Sequence, residues 1–387
     1  MEVGEAAVVT RDGLDALLAG LRARGYRTVG PVARDGAITY GEVSTSADLP
    51  EGWHDSQAPG TYRLHHGDDE ALFGWAVGPH SVKAEVFPPR SVVWRARVRP
   101  DDGGGGAGVE VEEVPDDAAP TAVVGVRPCD LAALRVLDRV MQGAPAPDPA
   151  YAARRGAAFV VAAECGSPAG TCFCTSMGTG PSATEGYDLA LTEILEGEHR
   201  FVVRAGTAAG RAVLDDVAHR PATAVDLEAR AAVVDGAVQN MGRQLDTDDL
   251  PGLLERTLDH PRWEDVAGRC LACGNCTLVC PTCFCSTVED VTDLTGTVER
   301  HRTWASCFDL AHSYVHGGPV RTSTQSRYRQ WLTHKLGTWH DQFGMSGCVG
   351  CGRCIAWCPV GIDLTEEAAA LRASDGTGRA VASDKEA

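Results

Sequence analysis

Leu14, Leu17, Leu18 and Leu21 recur at the spacing of one helical face, with Asp12 as the expected N-cap and Gly25 as the stop. From Tyr26 to about Val98 the pattern shifts to short alternating segments separated by turn residues, which predicts β structure. Gly103-Gly-Gly-Gly within Asp101 to Gly108 reads as a flexible loop. The β-branched run Thr121 to Val126 leads into Arg127-Pro-Cys-Asp, after which Leu131, Leu134 and Leu137 repeat at helical spacing with Asp130 expected as N-cap. Ala157 to Ala163 repeats the logic, a buried strand entering a cysteine-rich loop from Cys165 to Pro181. Strand–loop–helix units of this kind predict an α/β domain over 1–225. A polar helical linker is expected over 226–262. A mostly helical, ferredoxin-like domain is expected over 263–372, and a small, polar, disordered tail over 373–387. The expected class is thus α+β, an α/β domain followed by a mostly helical dicluster ferredoxin domain.

Composition sharpens this picture in two ways. With 35 Lys and Arg against 53 Asp and Glu, the net charge of −18 argues against nucleic acid and anionic membrane as partners. No apolar run is long enough to span a bilayer. Met1 to Asp12 shows neither a basic segment followed by an apolar one nor a twin-arginine pair, so a cytoplasmic location is expected. Fifteen cysteines in a reducing compartment point to metal or redox chemistry rather than disulfides.

Their spacing carries the chemistry. Cys270, Cys273, Cys276 and Cys280 follow C-x2-C-x2-C-x3-C with Pro281 next, and the pattern returns at Cys348, Cys351, Cys354 and Cys358 before Pro359. Three thiolates in a tight loop can each reach a different iron of one cubane, while the fourth ligates the other cluster in two-cluster ferredoxins. This predicts two [4Fe–4S] clusters, one on Cys270, Cys273, Cys276 and Cys358, the other on Cys348, Cys351, Cys354 and Cys280. Gly274, Gly350 and Gly352 leave room for close backbone approach. A zinc ribbon would use separated C-x2-C pairs and has no role for the third cysteine of each run. The long interval from Cys280 to Cys348 is too large for a simple loop. Within it Trp304 to His316 and Thr324 to Phe343 read as helices, and Ser286 to Arg302 as a hairpin around Gly296.

Cys129, Cys165, Cys172, Cys174, Cys283, Cys285 and Cys307 remain. Thr171-Cys-Phe-Cys-Thr and Thr282-Cys-Phe-Cys-Ser are near copies, and Cys165, Cys172 and Cys174 plus one more could hold a third cluster. Alternatively these are small residues buried around the other two. The basic and aromatic group from Arg321 to Lys335 reads either as a positive patch acting on a cluster or as a solvated helix with Trp331 packed inward. Gly178-Thr-Gly-Pro lacks the features of a phosphate loop, so no nucleotide site is expected.

Taken together, these motifs resemble the iron–sulfur β subunit of the sulfhydrogenases, the NAD(P)-linked [NiFe] hydrogenases, and are similar also to the corresponding subunit of anaerobic sulfite reductase. The resemblance rests on Gly30-Pro-Val-Ala-Arg-Asp-Gly, Val77-Gly-Pro-His-Ser, Arg127-Pro-Cys-Asp-Leu, Gly170-Thr-Cys-Phe-Cys-Thr-Ser-Met-Gly-Thr-Gly and the run from Cys270 to Cys285. It implies a subunit relaying electrons between a flavoprotein and a catalytic redox subunit. The competing expectation is a catalytic iron–sulfur reductase with its active site at a third cluster in the N-terminal domain, built with Cys129, Cys165, Cys172 and Cys174.

Overall fold

The computed structural model describes residues 5–99, 108–114, 118–143 and 145–383. The expected glycine loop therefore lies outside the described residues, apart from Gly108, which opens a strand.

Strands with alternating apolar residues on both faces need cover on both faces, and the N-terminal half supplies it. Eight strands form one mixed sheet in the order Arg220–Pro221, Ala6–Thr10, Arg200–Ala205, Leu189–Ile194, Ala158–Ala163, Thr121–Val126, Arg27–Arg34 and Ala37–Glu42. The four strands from Leu189–Ile194 to Arg27–Arg34 are mutually parallel, and the flanking pairs are antiparallel. Ala122, Val124, Phe159, Val161 and Ala163 face one core with the leucine stripe of the helix Arg11–Ala23. Val123, Val126, Val160 and Ala162 face the other, against Leu131, Leu134 and Leu137 of the helix Pro128–Met141. The expected leucine face is therefore the buried one, although Thr10 rather than Asp12 caps its helix, its side chain accepting from Gly13 N.

The strand Thr121–Val126 ends on a bulge. Val124 opposes Val161 while Val126 opposes Ala162, and Gly125 between them has φ +75°. A Cβ there would lie 3.0 Å from the Phe73 ring and from Pro31. The extra residue re-aims the chain where it delivers Arg127, Pro128 and Cys129. Arg127, not Asp130, stands at the helix N-cap, and Pro128 takes the first turn, where its missing N–H costs nothing. Asp130 is instead buried in a bidentate pair with Arg353, Oδ1 to Nη1 at 2.7 Å and Oδ2 to Nη2 at 2.8 Å.

The C-terminal half is mostly helical. Leu253, Leu254, Trp263, Tyr328, Trp331, Leu332 and Leu371 build its core, with Cys270, Cys276, Cys354 and Cys358 packed on it. The helices Ala224–Gln239 and Leu250–Arg256 occupy the segment between the halves. The interval between the cysteine motifs forms the expected hairpin, Ser286–Thr292 with Thr297–Trp304. Its second strand pairs with Arg90–Arg99, which pairs with Gly108–Glu113, so one four-stranded sheet draws strands from both halves. Thr324–Thr333 and Trp339–Phe343 are α-helical, joined by a π-helical turn at His334–Thr338.

Trp304 to His316 is not a helix. Ser306 N bonds Asp309 Oδ2, Phe308 N bonds Ser306 Oγ, and turns at Asp309–His312 and Ala311–Tyr314 follow. Polar side chains compete here for the backbone groups that a helix would use. The last helix, Leu364–Ser383, continues into the segment expected to be a disordered tail; residues 384–387 lie outside those described.

Removing one partner of a buried bidentate pair strands the other charge. Asp130→Asn should therefore lower stability by roughly 3 kcal/mol, read as an earlier urea midpoint at unchanged slope in anaerobic unfolding. A loss below about 1 kcal/mol would show that this pair does not lock the halves together.

Candidate metal centres

Each C-x2-C-x2-C run is shaped by two left-handed residues followed by one helical turn. Ala272 (φ +51°) and Gly274 (φ +76°) precede Asn275–Leu278, and Gly350 (φ +66°) and Gly352 (φ +74°) precede Arg353–Ala356. The backbone folds round so that its N–H groups point at sulfur. Ala272 N lies 3.4 Å from Cys270 Sγ, Gly350 N 3.5 Å from Cys348 Sγ, and Ile362 N 3.3 Å from Cys358 Sγ. Such donors hold thiolates in place and tune whatever metal they bind.

One cavity is lined by five cysteines, Cys270, Cys273, Cys276, Cys354 and Cys358. Phe308, Tyr328 and Trp331 close it, and Tyr328 Oη and Trp331 Nε1 are buried without a hydrogen-bond partner among the described residues. Buried donors of this kind are rare unless an acceptor is missing from view. Soft thiol donors around an enclosed space, with unpaired donors in its wall, fit an iron–sulfur cluster. Cys273 is exposed, and Leu271, Leu278 and Val360 stand exposed around this end of the molecule.

Cys280 and Cys354 each feel the charge of Cys348 or its neighbour Cys351, which gathers Cys280, Cys348, Cys351 and Cys354 into a second group. Cys354 also feels Cys276, so the two groups adjoin. Burial pushes the Cys348 thiol up to about 12 and Cys354 well above its ordinary value. Deprotonating these thiols is therefore coupled to binding a metal. Cys280 differs: hydrogen bonding with Cys283, aided by the Lys335 ammonium, holds it well below the ordinary thiol range.

Lys335 sits in the π-helical turn and is buried, not on a solvated helix face. Its Nζ lies 3.4 Å from Cys280 Sγ and donates to Thr282 Oγ1 and Gly347 O. Lys83 is buried as well, donating to the carbonyls of Cys280 and Cys283. Lys335 ends the basic and aromatic group seen in the sequence, whereas Lys83 carries no sequence signal beyond its charge. The remaining thiols lie close by, Cys283 against Cys280, and Cys307 near Cys276 and Cys285.

The third set of cysteines also converges. Cys165, Cys172 and Cys174 line a second cavity together with Cys129, delivered by the strand end after Gly125. Cys351 of the neighbouring group forms part of its wall. Among the described residues, no three His, Cys, Asp or Glu side chains meet closely enough to grip a single ion, so the thiols surround spaces rather than points. Zinc would need four sulfurs drawn in to about 2.3 Å from one centre.

Residues 269–362 match the model of the 4Fe-4S dicluster domain. Sulfhydrogenase 2 subunit beta of Pyrococcus furiosus is 34% identical over 262 residues, a stretch covering 66% of this chain and 74% of that protein. The chain belongs to the sulfhydrogenase β-subunit family. No solved structure matches it. As a member of this family it is an iron–sulfur electron-transfer subunit carrying [4Fe–4S] chemistry in its C-terminal region. Among the described residues no helix is long and apolar enough to cross a membrane.

A buried ammonium beside a ligating sulfur favours the more negative, reduced state of a cluster. Lys335→Met should lower one cluster's midpoint potential by on the order of 60 mV, a tenfold change for a one-electron couple. Anaerobic redox titration followed by EPR reads this shift; an unmoved potential would mean that the charge is screened from the cluster.

Proposed function

We propose that this chain relays electrons through two [4Fe–4S] clusters with crossed ligation, within a hetero-oligomeric complex. Cys270, Cys273, Cys276 and Cys358 hold one cluster; Cys280, Cys348, Cys351 and Cys354 hold the other. The observation that carries this reading is the cavity lined by three cysteines of the first motif with Cys354 and Cys358 of the second, of which Cys354 also adjoins Cys348, Cys351 and Cys280. Bound there, the clusters supply one-electron carriers.

The chain's own residues do the rest. Aromatic side chains exclude water from the first group, while backbone N–H groups and Lys335 stabilise negative charge on sulfur. Cys276 and Cys354 bring the groups side by side. The exposed Cys273, beside Leu271 and Val360, offers an apolar contact for a redox partner. In keeping with the family resemblance, the partners are a flavoprotein on the NAD(P)H side and a catalytic redox subunit such as a [NiFe] hydrogenase.

Crossed ligation has a spectroscopic consequence. Cys280→Ser should perturb the same EPR signal as Cys351→Ser, not the one altered by Cys273→Ser. A signal shared by the Cys280 and Cys273 variants would overturn the pairing. The relay itself is tested on the purified chain, which should accept electrons from dithionite or a reduced flavoprotein yet oxidise neither NAD(P)H nor hydrogen. Turnover of NAD(P)H, hydrogen or sulfite by the chain alone would show that it is an enzyme in its own right.

A further inference from the structure

We propose that Cys129, Cys165, Cys172 and Cys174 hold a third [4Fe–4S] cluster, set in the N-terminal half against the group that includes Cys351. This goes beyond the two-cluster relay and does not depend on it.

Two segments meet to supply the thiols, the start of one helix and the single loop that carries the other three cysteines. Cys129 comes from the first turn of the helix Pro128–Met141, and Cys165 from the loop after the strand Ala158–Ala163. Cys172 and Cys174 flank Phe173, which is fully buried in the helical core of the other half. Both thiols are thereby left to the cavity. Apart from Arg127 and Cys351, the rest of its wall is apolar, with Ala76, Val77, Pro128, Pro168 and Pro181. Thiols gathered in such a cavity find few hydrogen-bond partners, whereas as thiolates around iron they become ligands.

Charge supplies an independent argument. Arg127 lines the same cavity and is buried, with its guanidinium 4.1 Å from the centroid of the Trp75 ring. Its hydrogen bonds go to the carbonyls of Phe73, Trp75, Ala76, Ala163 and Glu164. Among the described residues it makes no ion pair. Asp55, whose charge reaches it, is already tied to Ala76 N and the Gln57 amide. A buried cation without an ion-pair partner is costly, and buried charges are ordinarily paired. A cluster ligated by four thiolates is an anion at this position. Arg353, though paired with Asp130, adds further positive potential near Cys129 and Cys351.

Position says what such a cluster would do. Four cysteines give every iron of a cubane a thiolate, leaving none open for substrate, so the site suits electron transfer rather than catalysis. Cys172 Sγ lies 3.8 Å from the carbonyl of Cys351, and Phe173 N bonds Gly350 O at 2.8 Å, so the loop rests on the second motif. The three groups therefore form a row, from exposed Cys273 through the Cys348 group to the half-buried Cys165, beside exposed Gly166 and Ser167.

Anaerobically reconstituted full-length protein should contain about twelve irons and twelve sulfides per chain, where two clusters give about eight. The double variant Cys172→Ala/Cys174→Ala should lose about four irons and one EPR component, keeping the signals that respond to Cys273→Ser and Cys351→Ser. If the double variant fails to fold, by circular dichroism, Cys165→Ser at the half-buried end takes its place. A wild-type content near eight, or a content unchanged in the variants, would overturn the proposal while leaving the relay reading intact. A content near four irons, or firmly held zinc, would overturn both.

Discussion

Close backbone packing between two loops sets the geometry of the whole molecule. The turn Cys348–Cys354 lies so tightly on Thr171–Cys174 that a Cβ on Gly350 would come 2.6 Å from Phe173 O. One on Gly352 would come 2.4 Å from Thr171 O. Only glycine permits both the approach and the positive φ found there. The buried Arg353–Asp130 pair holds the same junction from the next turn, with Arg353 Nε also donating to Gly78 O. The N-terminal sheet and the helical half are thus joined at the cysteines themselves.

Charge is distributed in a consistent way around that junction. The chain as a whole is strongly acidic, yet Lys83, Arg127, Lys335 and Arg353 are buried beside cysteine groups. Placing cations in a low-dielectric interior is unfavourable unless negative charge accompanies them. Arg353 has Asp130 as its partner; at the others the proposed thiolate-ligated clusters would supply the negative charge, and the cations would in turn bias them toward reduction. The net charge of −18 argues against nucleic acid as a partner, and the exposed apolar residues near Cys273 are the contact surface proposed for a redox partner.

The insertion between the motifs shows how local pattern and tertiary demand diverge. The hairpin Ser286–Trp304 is legible in the sequence because alternation and Gly296 encode it locally, but its pairing with Arg90–Arg99 joins strands from distant parts of the chain. Trp304 to His316 carries apolar residues at helical spacing, yet Ser306 and Asp309 take the backbone groups for turns, and Cys307 is set beside Cys276. By pattern alone Lys335 belongs either to a positive patch acting on a cluster or to a solvated basic face; it lies in the π-helical turn and is buried.

The sequence by itself determined the two cysteine runs, the glycines that shape them, the leucine stripe of the first helix and the buried strands, because each is written in spacings of a few residues. It also marked Cys129, Cys165, Cys172 and Cys174 as unusual. Tertiary structure decided that all four line one cavity, since a bulge at Gly125 and the order of strands in the sheet bring Cys129 to the others. The same holds for Lys83, whose ammonium reaches the Cys280 carbonyl across 197 positions of chain, and for Arg127, whose carbonyl partners come from separate segments. Short-range periodicity records which face of an element is buried. It holds no record of which distant elements share that burial, and the charged and thiol groups around these centres are assembled by that sharing.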